Sequence, residues 1–497
     1  MRPVVLAALL VIGLTSSPWA INTIYPPAGQ TFLGTFYFVD DFYNYLSYAQ
    51  QAEDGAFLFA NKAILGDHPA ALVNLEWWVV GTLSRVLGGG HLLLAYRLFG
   101  VAAALCFLFV LDKWLARVGV STAHRLPALL LVSLGGGLGG LLFTFAGRAP
   151  ADCQDFFTGL FPFVGFLTNP HFTAGTALLL TVLILWDDAG DGRAYAIAAL
   201  VATILALVRP YDFVMLVLVH ATAVFLLEPA RRFWARLLPL LALLPVVAYL
   251  CWLFYLNPAF AFYSGTTYVF PPFTDFLWAL GPAVLLATGA AFAGSAGEAC
   301  RRARVYLSLW AAFALLVIVV RPVGFSLQFL VGLGVPLLAL GAVALGRFKP
   351  NILWLATFAF SLTFGVALNF MLTPRSFWLT RRDTMAVVET LRLTCRKGDI
   401  LFAPPEVGLF AHGLTACRAL VSHPISPDYD ERLHDLERFA RAQPADRRAL
   451  LDGQHVRHLV LPGDPGPTGT AWLGPESGWK QVAVFGSPTR LSLYTRR

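Results

Sequence analysis

Two adjacent acids, Asp40 and Asp41, are the residues of this chain best suited to chemistry. They follow the first apolar run directly, and a ladder of aromatic residues comes next: Phe42, Tyr43, Tyr45 and Tyr48. Apolar positions at 42, 45, 46, 49 and 52 fit a helix with one apolar face that lies along a bilayer surface. Two carboxylates at the start of such a helix would lie at lipid headgroup depth, where a water-soluble molecule can meet a lipid-borne one.

An aspartate at the start of a helix also has a simpler explanation. Asp41 would be a good N-cap for a helix that begins at Phe42. One cap needs only one acid, so capping leaves the second acid unexplained. Because perturbed acids cluster at functional sites, the sequence predicts a catalytic role for the pair.

Composition predicts an α-helical polytopic membrane protein. Hydrophobic residues make up 57% of the chain and charged residues 13%, with a mean hydropathy of +0.67. A soluble protein of this length would carry about twice that charged fraction. The formal net charge of +7 requires no nucleic acid partner, because basic residues at membrane edges account for it. The sequence contains no CxxC motif and no cluster of His and Cys with metal-ligand spacing.

Eleven apolar runs predict about 11 transmembrane helices. The first extends from Val4 to about Ala20 and could be a cleaved signal peptide, but we favour a retained helix because ten further runs follow. These lie at 91–111, 126–143, 172–186, 194–208, 213–227, 237–256, 276–293, 305–320, 325–345 and 352–372. Several are shorter than the usual ~20 residues, so they extend into flanking residues or form broken helices.

Basic residues predict the orientation of these helices. With a cytoplasmic start, the inside loops hold twelve Lys and Arg residues: Lys113, Arg117, Arg125, Arg193, Arg231, Arg232, Arg236, Arg301, Arg302, Arg304, Arg347 and Lys349. The outside loops between spans hold five: Lys62, Arg85, Arg148, Arg209 and Arg321. The positive-inside rule therefore predicts that the first loop, residues 21–90, and the C-terminus lie on the outer side of the inner (plasma) membrane.

The composition changes near Pro374. Residues 375–497 carry 17 Lys/Arg and 13 Asp/Glu, against 35 charged residues in the preceding 374. Helical patterns alternate with strand-like runs: Asp383–Arg392, Asp428–Arg441 and Ala445–Leu451 with Asp399–Ala403, Val456–Leu461, Gln481–Phe485 and Arg490–Tyr494. We predict a transmembrane catalytic domain at 1–374 and a small soluble α/β domain at 375–497. An oxidising compartment would permit a disulfide between Cys395 and Cys417.

The layout of the first outer loop resembles that of the GT-C superfamily of membrane glycosyltransferases, which includes protein O-mannosyltransferases and aminoarabinose transferases. The similarity consists of the acidic pair Asp40 and Asp41 after the first span, a second amphipathic segment at Ala70–Leu87, the number of spans and the outer C-terminal domain. It covers the membrane part of the chain. The motif is only two residues long, so its specificity comes from its position.

This resemblance implies an inverting transfer of a sugar from a polyprenyl-phosphate donor to an acceptor glycan, lipid or protein. The acceptor hydroxyl loses a proton as it attacks the anomeric carbon, and a positioned carboxylate serves as base. In direct inversion that base faces the anomeric carbon opposite the leaving group. We predict Asp40 as the base, with Asp41 as the second candidate.

The departing lipid phosphate needs fixed positive charge in a water-poor site, and arginine suits a phosphate through its planar fork. Four arginines are predicted to bind it: Arg209, Arg321, Arg97 and Arg148. A charge inside a span is usually functional, although Arg97 could instead snorkel towards the surface. Arg209 and Asp212 belong to a tight turn, where the alternative is an internal ion pair that stiffens a hairpin.

Further polar residues are predicted to bind the acceptor or substrate: Tyr43, His68, Glu76, His171, Tyr211 and Asp212. A lone histidine at a helix start, such as His171, is more often a satisfied structural group. Asp152 and Asp155 could share a divalent cation, Mg²⁺ or Mn²⁺, but without a third ligand a solvated loop explains them as well. In the C-terminal domain, two segments follow strand-like runs: Pro404-Pro405-Glu406-Val407-Gly408 and Ser422-His423-Pro424. Strand ends in α/β units are common binding edges, so we interpret this domain as an acceptor-binding or lid module.

The main alternative is a multi-pass transporter or flippase of a lipid-linked or charged solute. It would explain Arg97 and the broken outer turns. Transporters place their essential charges near the bilayer midplane, whereas these acids gather in outer loops. The sequence contains no Walker motif, which argues against ATP-driven transport. A structural or assembly factor would leave the acidic pair without a task, so the sequence predicts a glycosyltransferase that uses a lipid-linked sugar.

Overall fold

Long apolar helices make up most of the chain. A computed structural model describes residues 2–149, 152–188, 192–267, 269–294, 297–463, 471–473, 477–486 and 490–496. Among these residues, nine helices are long and apolar enough to cross a membrane: Pro3–Ile24, Leu92–Arg117, Pro170–Asp188, Pro210–Leu227, Ala230–Leu256, Phe273–Phe292, Glu298–Val320, Ser326–Leu345 and Pro350–Leu372. A tenth candidate is the pair Thr122–Leu134 and Gly139–Ala146, bent by 57° at its break.

These helices confirm the prediction of an α-helical polytopic membrane protein. Each of the eleven predicted runs coincides with a helix or with the bent pair. Length and composition alone support nine or ten spans rather than 11 in the described chain, because the fifth run forms a helix, Gly192–Val208, of only 17 residues. Shorter helices occur at Gln154–Phe157, Pro162–Leu167 and Phe262–Gly265.

The break in the bent pair has a physical cause in its glycines. A Cβ atom on Gly137 would lie 1.9 Å from the carbonyl oxygen of Ala279, so only glycine allows the chain to approach that neighbour. The side chain of Asp155 accepts hydrogen bonds from the N–H groups of Gly137 and Gly139 at 2.8 and 3.0 Å. These backbone donors, which the break removes from the helical ladder, are thereby satisfied.

The described chain divides into two compact units. The first comprises Met1–Ile21, Tyr96–Leu256 and Ser264–Thr373, and it contains most of the apolar helices. The second comprises Asn22–Ala95, Asn257–Tyr263 and Pro374–Arg497. By packing, the first outer loop therefore joins the C-terminal residues, whereas the sequence pattern grouped it with residues 1–374.

The second unit combines helices with two sheets. Its helices of ten or more residues are Val39–Glu53, Leu75–Val86, Arg382–Thr394, Pro405–Leu414, Tyr429–Arg441 and Pro444–Gly453. A two-stranded antiparallel sheet pairs Gln30–Phe32 with Leu379–Arg381, which joins the first loop to the C-terminal residues. A five-stranded mixed sheet has the order Arg418–Ala419, Ile400–Phe402, Val456–Pro462, Leu491–Arg496 and Trp479–Phe485.

The predicted α/β character of the C-terminal residues is confirmed. Every predicted helix and strand is present with shifted ends, but the helix Pro405–Leu414 was not predicted. Prolines at its start and buried residues on all its faces hide the amphipathic period from which helices are recognised. Cys395 and Cys417 form a disulfide, which closes a loop around this helix.

Candidate active site

The two acids lie in the first turn of the helix Val39–Glu53, called here the acid helix. Phe38 precedes this helix in a left-handed conformation, with φ of 53°, and no side chain caps the helix. The alternative that Asp41 is the N-cap of a helix beginning at Phe42 is therefore wrong, because the helix begins three residues earlier. The positive end of the helix dipole favours acids in this turn but does not require two.

Two neighbouring helices fix the acid helix. Leu75–Val86, called here the crossing helix, and Pro405–Leu414, called the C-terminal partner helix, both pack along it. A Cβ atom on Gly81 of the crossing helix would lie 2.1 Å from a backbone oxygen of the acid helix. One on Gly413 of the C-terminal partner helix would lie 2.7 Å from Tyr43. These glycines allow the backbones to approach more closely than any other residue would permit.

Asp41 has a fixed partner in the C-terminal residues. Its Oδ1 atom lies 3.2 Å from Nε2 of His423, whose side chain is buried. Nδ1 of His423 accepts a hydrogen bond from the N–H of Ile425 at 3.2 Å. The hydrogen-bond pattern therefore assigns the proton of the neutral ring to Nε2, from which it is donated to Asp41.

Asp40, in contrast, is exposed. Within the described residues it forms no hydrogen bond or ion pair. The protein around the carboxyl displaces water and raises the pKa of Asp40 above its ordinary value; nearby His423 lowers it, and the charge of Asp41 raises it further. A carboxylate with a raised pKa is a stronger base. The pair is thus divided into one accessible acid, Asp40, and one held acid, Asp41.

A buried polar network lies between the acid helix and the C-terminal partner helix. His412 and Asn44 share a hydrogen bond of 3.2 Å, and the Asn44 amide lies 3.5 Å from the Tyr263 hydroxyl. Lys62 donates to the carbonyl oxygen of Thr415 at 2.5 Å, although its side chain is buried. The first loop and the C-terminal residues are therefore joined by polar contacts as well as by packing.

Lys62 provides a test of this buried network. Burial lowers the pKa of Lys62 to about 7, against the weaker opposing effect of Asp54. An unfolded lysine has a pKa of about 10.4, so the unfolded chain binds more protons between these values and stability rises with pH. We expect the melting temperature of the native protein in detergent to rise, relative to that of Lys62→Met, between about pH 7 and pH 10.

The exposed Lys480 supplies the control for this measurement. Lys480→Met should follow the native protein at every pH. Parallel curves for the native protein and Lys62→Met would show that Lys62 does not carry this pH dependence.

Of the four arginines predicted to bind phosphate, two are engaged inside the protein. Arg97 donates to the carbonyl oxygens of Thr15 and Phe166, both at 2.9 Å, and so ties the first apolar helix in place. Arg209 forms a buried ion pair with Asp212 at 3.0 Å. This pair is the internal contact that the sequence offered as the alternative to phosphate binding.

The other two arginines are more accessible. Arg148 pairs with Asp275 at 2.8 Å. Arg321 is exposed at the end of Glu298–Val320, where it has a left-handed conformation, and its guanidinium lies over the ring of Phe270 at 4.4 Å. In the described part of the chain Arg321 has no carboxylate partner. Of the four arginines, it is the most available to an anion such as phosphate.

No protein-family model matches the sequence, and no curated protein matches it. Solved structures do match the fold. ArnT from Cupriavidus metallidurans in the apo state has a TM-score of 0.54 at 13% identity, covering 98% of this chain and 97% of ArnT. ArnT bound to undecaprenyl phosphate has a TM-score of 0.53 at 12% identity, covering 99% and 97%. The chain has the GT-C fold.

A second enzyme gives the same result. The Archaeoglobus fulgidus oligosaccharyltransferase, tethered with an acceptor peptide that contains the NVT sequon, has a TM-score of 0.54 at 10% identity. The match covers 92% of this chain and 69% of the oligosaccharyltransferase. The resemblance inferred from the first loop is confirmed at the level of the GT-C fold.

Three first-loop residues predicted to bind substrate already contact other parts of the protein. Tyr43 is fully buried and donates its hydroxyl to the carbonyl oxygen of Leu33 at 3.2 Å. Glu76 is buried in the first turn of the crossing helix. His68 accepts a hydrogen bond from the backbone N–H of Asn61, and its other ring nitrogen contacts a loop carbonyl. In this conformation Tyr43 and Glu76 are inaccessible to a substrate.

Three predicted substrate residues, His171, Tyr211 and Asp212, belong to the first unit. His171 is buried at the start of Pro170–Asp188. Arg209, the buried partner of Asp212, has its guanidinium 4.8 Å from the ring of Phe172, the residue that follows His171. Tyr211 packs edge-on against Phe329. These contacts account for the structure of the turn, and binding by His171, Tyr211 and Asp212 stays a prediction.

The structure does not bring Asp152 and Asp155 together in a metal cluster. Asp155 is fully buried against the backbone of the bent pair, and burial raises its pKa to about 7, whereas Asp152 is exposed. Among the described residues, the only group of three potential ligands is Cys395, Cys417 and His458, of which the two cysteines are disulfide-bonded. A divalent cation stays a prediction.

Sequence reasoning missed the contact between His423 and Asp41. The two residues are 382 positions apart, and no local pattern connects them. The position of His423 after a strand-like run was the one available signal.

Proposed function

We propose that this protein is an inverting glycosyltransferase that moves a sugar from a polyprenyl-phosphate donor to an acceptor at the outer face of the membrane. The observation that carries the proposal is Asp40, an accessible carboxylate with a raised pKa next to an acid that is held in place. The GT-C fold supports it, since in the solved structures ArnT is bound to undecaprenyl phosphate and the oligosaccharyltransferase is tethered with an acceptor peptide via a disulfide bond.

In the proposed reaction, Asp40 takes the proton of the acceptor hydroxyl as its oxygen forms a bond to the anomeric carbon. The bond between that carbon and the phosphate oxygen breaks, and polyprenyl phosphate leaves with the electron pair. Because the acceptor attacks opposite the leaving group in a single displacement, the configuration inverts.

A divalent cation in this reaction is a separate proposal. Sugar transfer from the lipid donor, measured first with a chelator and then with added Mg²⁺ or Mn²⁺, tests whether such a cation takes part.

Two features support an outer location for the second unit. The disulfide between Cys395 and Cys417 is of the kind that forms and persists in oxidising compartments. The distribution of Lys and Arg supports an outer position of the first loop and the C-terminus by the positive-inside rule.

We propose Arg321 as a ligand of the donor phosphate. Arg321→Gln is expected to raise the KM for the lipid donor about tenfold, because a hydrogen bond between charged groups is lost. Steady-state transfer at varied donor concentration measures this effect. Arg231→Gln, the same change at another exposed arginine, is the control. An unchanged KM in Arg321→Gln would remove Arg321 from the site.

The rival function is a flippase, and one assay separates it from the enzyme. The purified protein is placed in vesicles with a radiolabelled polyprenyl-phosphate sugar and a mixture of membrane glycans, lipids and peptides. A glycosyltransferase forms a labelled acceptor and releases polyprenyl phosphate. A flippase moves the intact donor between leaflets without a new glycosidic bond, and that outcome would overturn the proposal.

A further inference from the structure

We infer that His423 is a positioning residue for the proposed reaction: it holds the Asp41 carboxylate in one orientation and so leaves Asp40 as the single base. The inference rests on the proposed function. It assigns a specific role to a residue that the sequence identified only as part of a candidate binding edge.

The ring of His423 is itself held by a rigid turn. Nδ1 accepts a hydrogen bond from Ile425 N–H at 3.2 Å. The carbonyl oxygen of His423 accepts two more from Ser426, from its hydroxyl at 2.7 Å and its N–H at 2.9 Å. Pro424 restricts the backbone between them. The Nε2–H group therefore has a fixed direction before any substrate binds, which is what a supporting residue requires.

Helical geometry explains why the acids take different roles. Consecutive residues of an α-helix point about 100° apart, so only one of two adjacent acids can face the turn that contains His423. Asp41 faces it and receives the hydrogen bond, while Asp40 is exposed. An acid that already accepts a hydrogen bond is a poorer proton acceptor for a substrate. The hydrogen bond from His423 to Asp41 therefore leaves Asp40 as the better base.

The surroundings of Asp40 agree with this division. Asp41 and His423 act on it electrostatically in opposite directions, and Tyr429 of the helix Tyr429–Arg441 lies close enough to interact with it. His423 is thus the only histidine that acts on both acids among the described interactions. If it served only as packing, replacing it with another side chain of similar bulk would leave both carboxylates unchanged.

A chemical experiment tests this without any sugar transfer. A water-soluble carbodiimide with an amine nucleophile labels accessible carboxyls, and tandem mass spectrometry separates Asp40 from Asp41. His423→Leu removes the hydrogen-bond donor, whereas His423→Gln keeps an N–H donor and is the matched control. We expect labelling of Asp41 to rise about tenfold in His423→Leu, as expected for loss of a hydrogen bond to a charged group, and to stay low in His423→Gln.

Transfer measurements then connect the contact to the reaction. In His423→Leu, kcat should fall about tenfold with an unchanged KM for the donor, because the change affects the base and not donor binding. If His423→Leu does not fold, His423→Met replaces it. Equal Asp41 labelling in the native protein and the apolar variant would overturn the inference. A rise in Asp41 labelling in His423→Leu, with no sugar transfer by the native protein or by any variant, would overturn the proposed function. The positioning contact would then still be established.

Discussion

Asp40→Asn is expected to lower the rate of sugar transfer by about 10²–10⁴-fold, the range that general base catalysis contributes. Asparagine has the same size but cannot accept the proton of the acceptor hydroxyl. Asp40 is exposed and has no hydrogen-bond partner in the described chain, so folding and donor binding should be unchanged. Transfer from the lipid donor in vesicles, with donor binding measured separately, checks both expectations.

The control is Asp67→Asn, the same change at a fully exposed acid of the same loop. It should transfer sugar at the native rate. Native transfer rates in Asp40→Asn would exclude Asp40 as the base.

The raised pKa of Asp40 adds a pH dependence. The carboxylate must be ionised to act as base, so the transfer rate should fall as the pH decreases. The midpoint of this fall should lie above 3.8, the ordinary pKa of an aspartate.

Gly81→Ala is expected to destabilise the second unit by about 3 kcal/mol, at the upper end for overpacking. The added Cβ would lie 2.1 Å from the carbonyl oxygen of Ala49, 2.5 Å from Cβ of Ala52 and 2.7 Å from the backbone nitrogen of Glu53. None of these atoms can move by rotating a side chain, so the crossing helix must move away from the acid helix. The melting temperature in detergent should fall, and transfer should fall with it because the acids move.

Gly453→Ala is the matched control, because it is the same substitution in the same unit. Nothing lies within 4 Å of a Cβ atom at Gly453, which ends the helix Pro444–Gly453. This variant should unfold at the native temperature or slightly above it. An equal effect of the two substitutions would contradict close packing at Gly81.

Elements with a periodic pattern were predictable from the sequence. The apolar runs became helices because twenty or so apolar residues have few other stable structures in a membrane. The acid helix and the crossing helix were recognisable from one-sided apolar faces, as were the helices and strands beyond residue 374. The start of the acid helix was misplaced because Phe38 adopts a left-handed conformation, for which its residue type gives no signal.

The site was predictable only in part, because contacts between distant residues decide it. The sequence identified Asp40 and Asp41 but could not rank them, since the ranking depends on His423. It also gave the predicted arginines similar weight. Only the structure distinguishes Arg209 from Arg321. Arg209 forms a buried ion pair with Asp212, whereas Arg321 has no carboxylate partner in the described chain.

The shared packing of the first loop with the C-terminal residues constrains how often the chain crosses the bilayer. The chain leaves the second unit after Ala95 and returns to it at Asn257, so an even number of crossings must lie between if the unit stays on one side. Among the described residues of this interval, four full-length helices, the bent pair and Gly192–Val208 are the candidates to cross. With the unit on one side, the bent pair and the short helix both cross, or neither does.

The packing of the short helix decides between these two counts. Three residues separate Asp188 from Gly192, and Gly192–Val208 packs along the full-length helix Pro170–Asp188. A helix that turns back immediately along a spanning neighbour crosses with it, and 17 residues are at the lower limit for doing so. We therefore propose that the bent pair crosses as well, which gives two traverses more than the nine that length and composition support in the described chain.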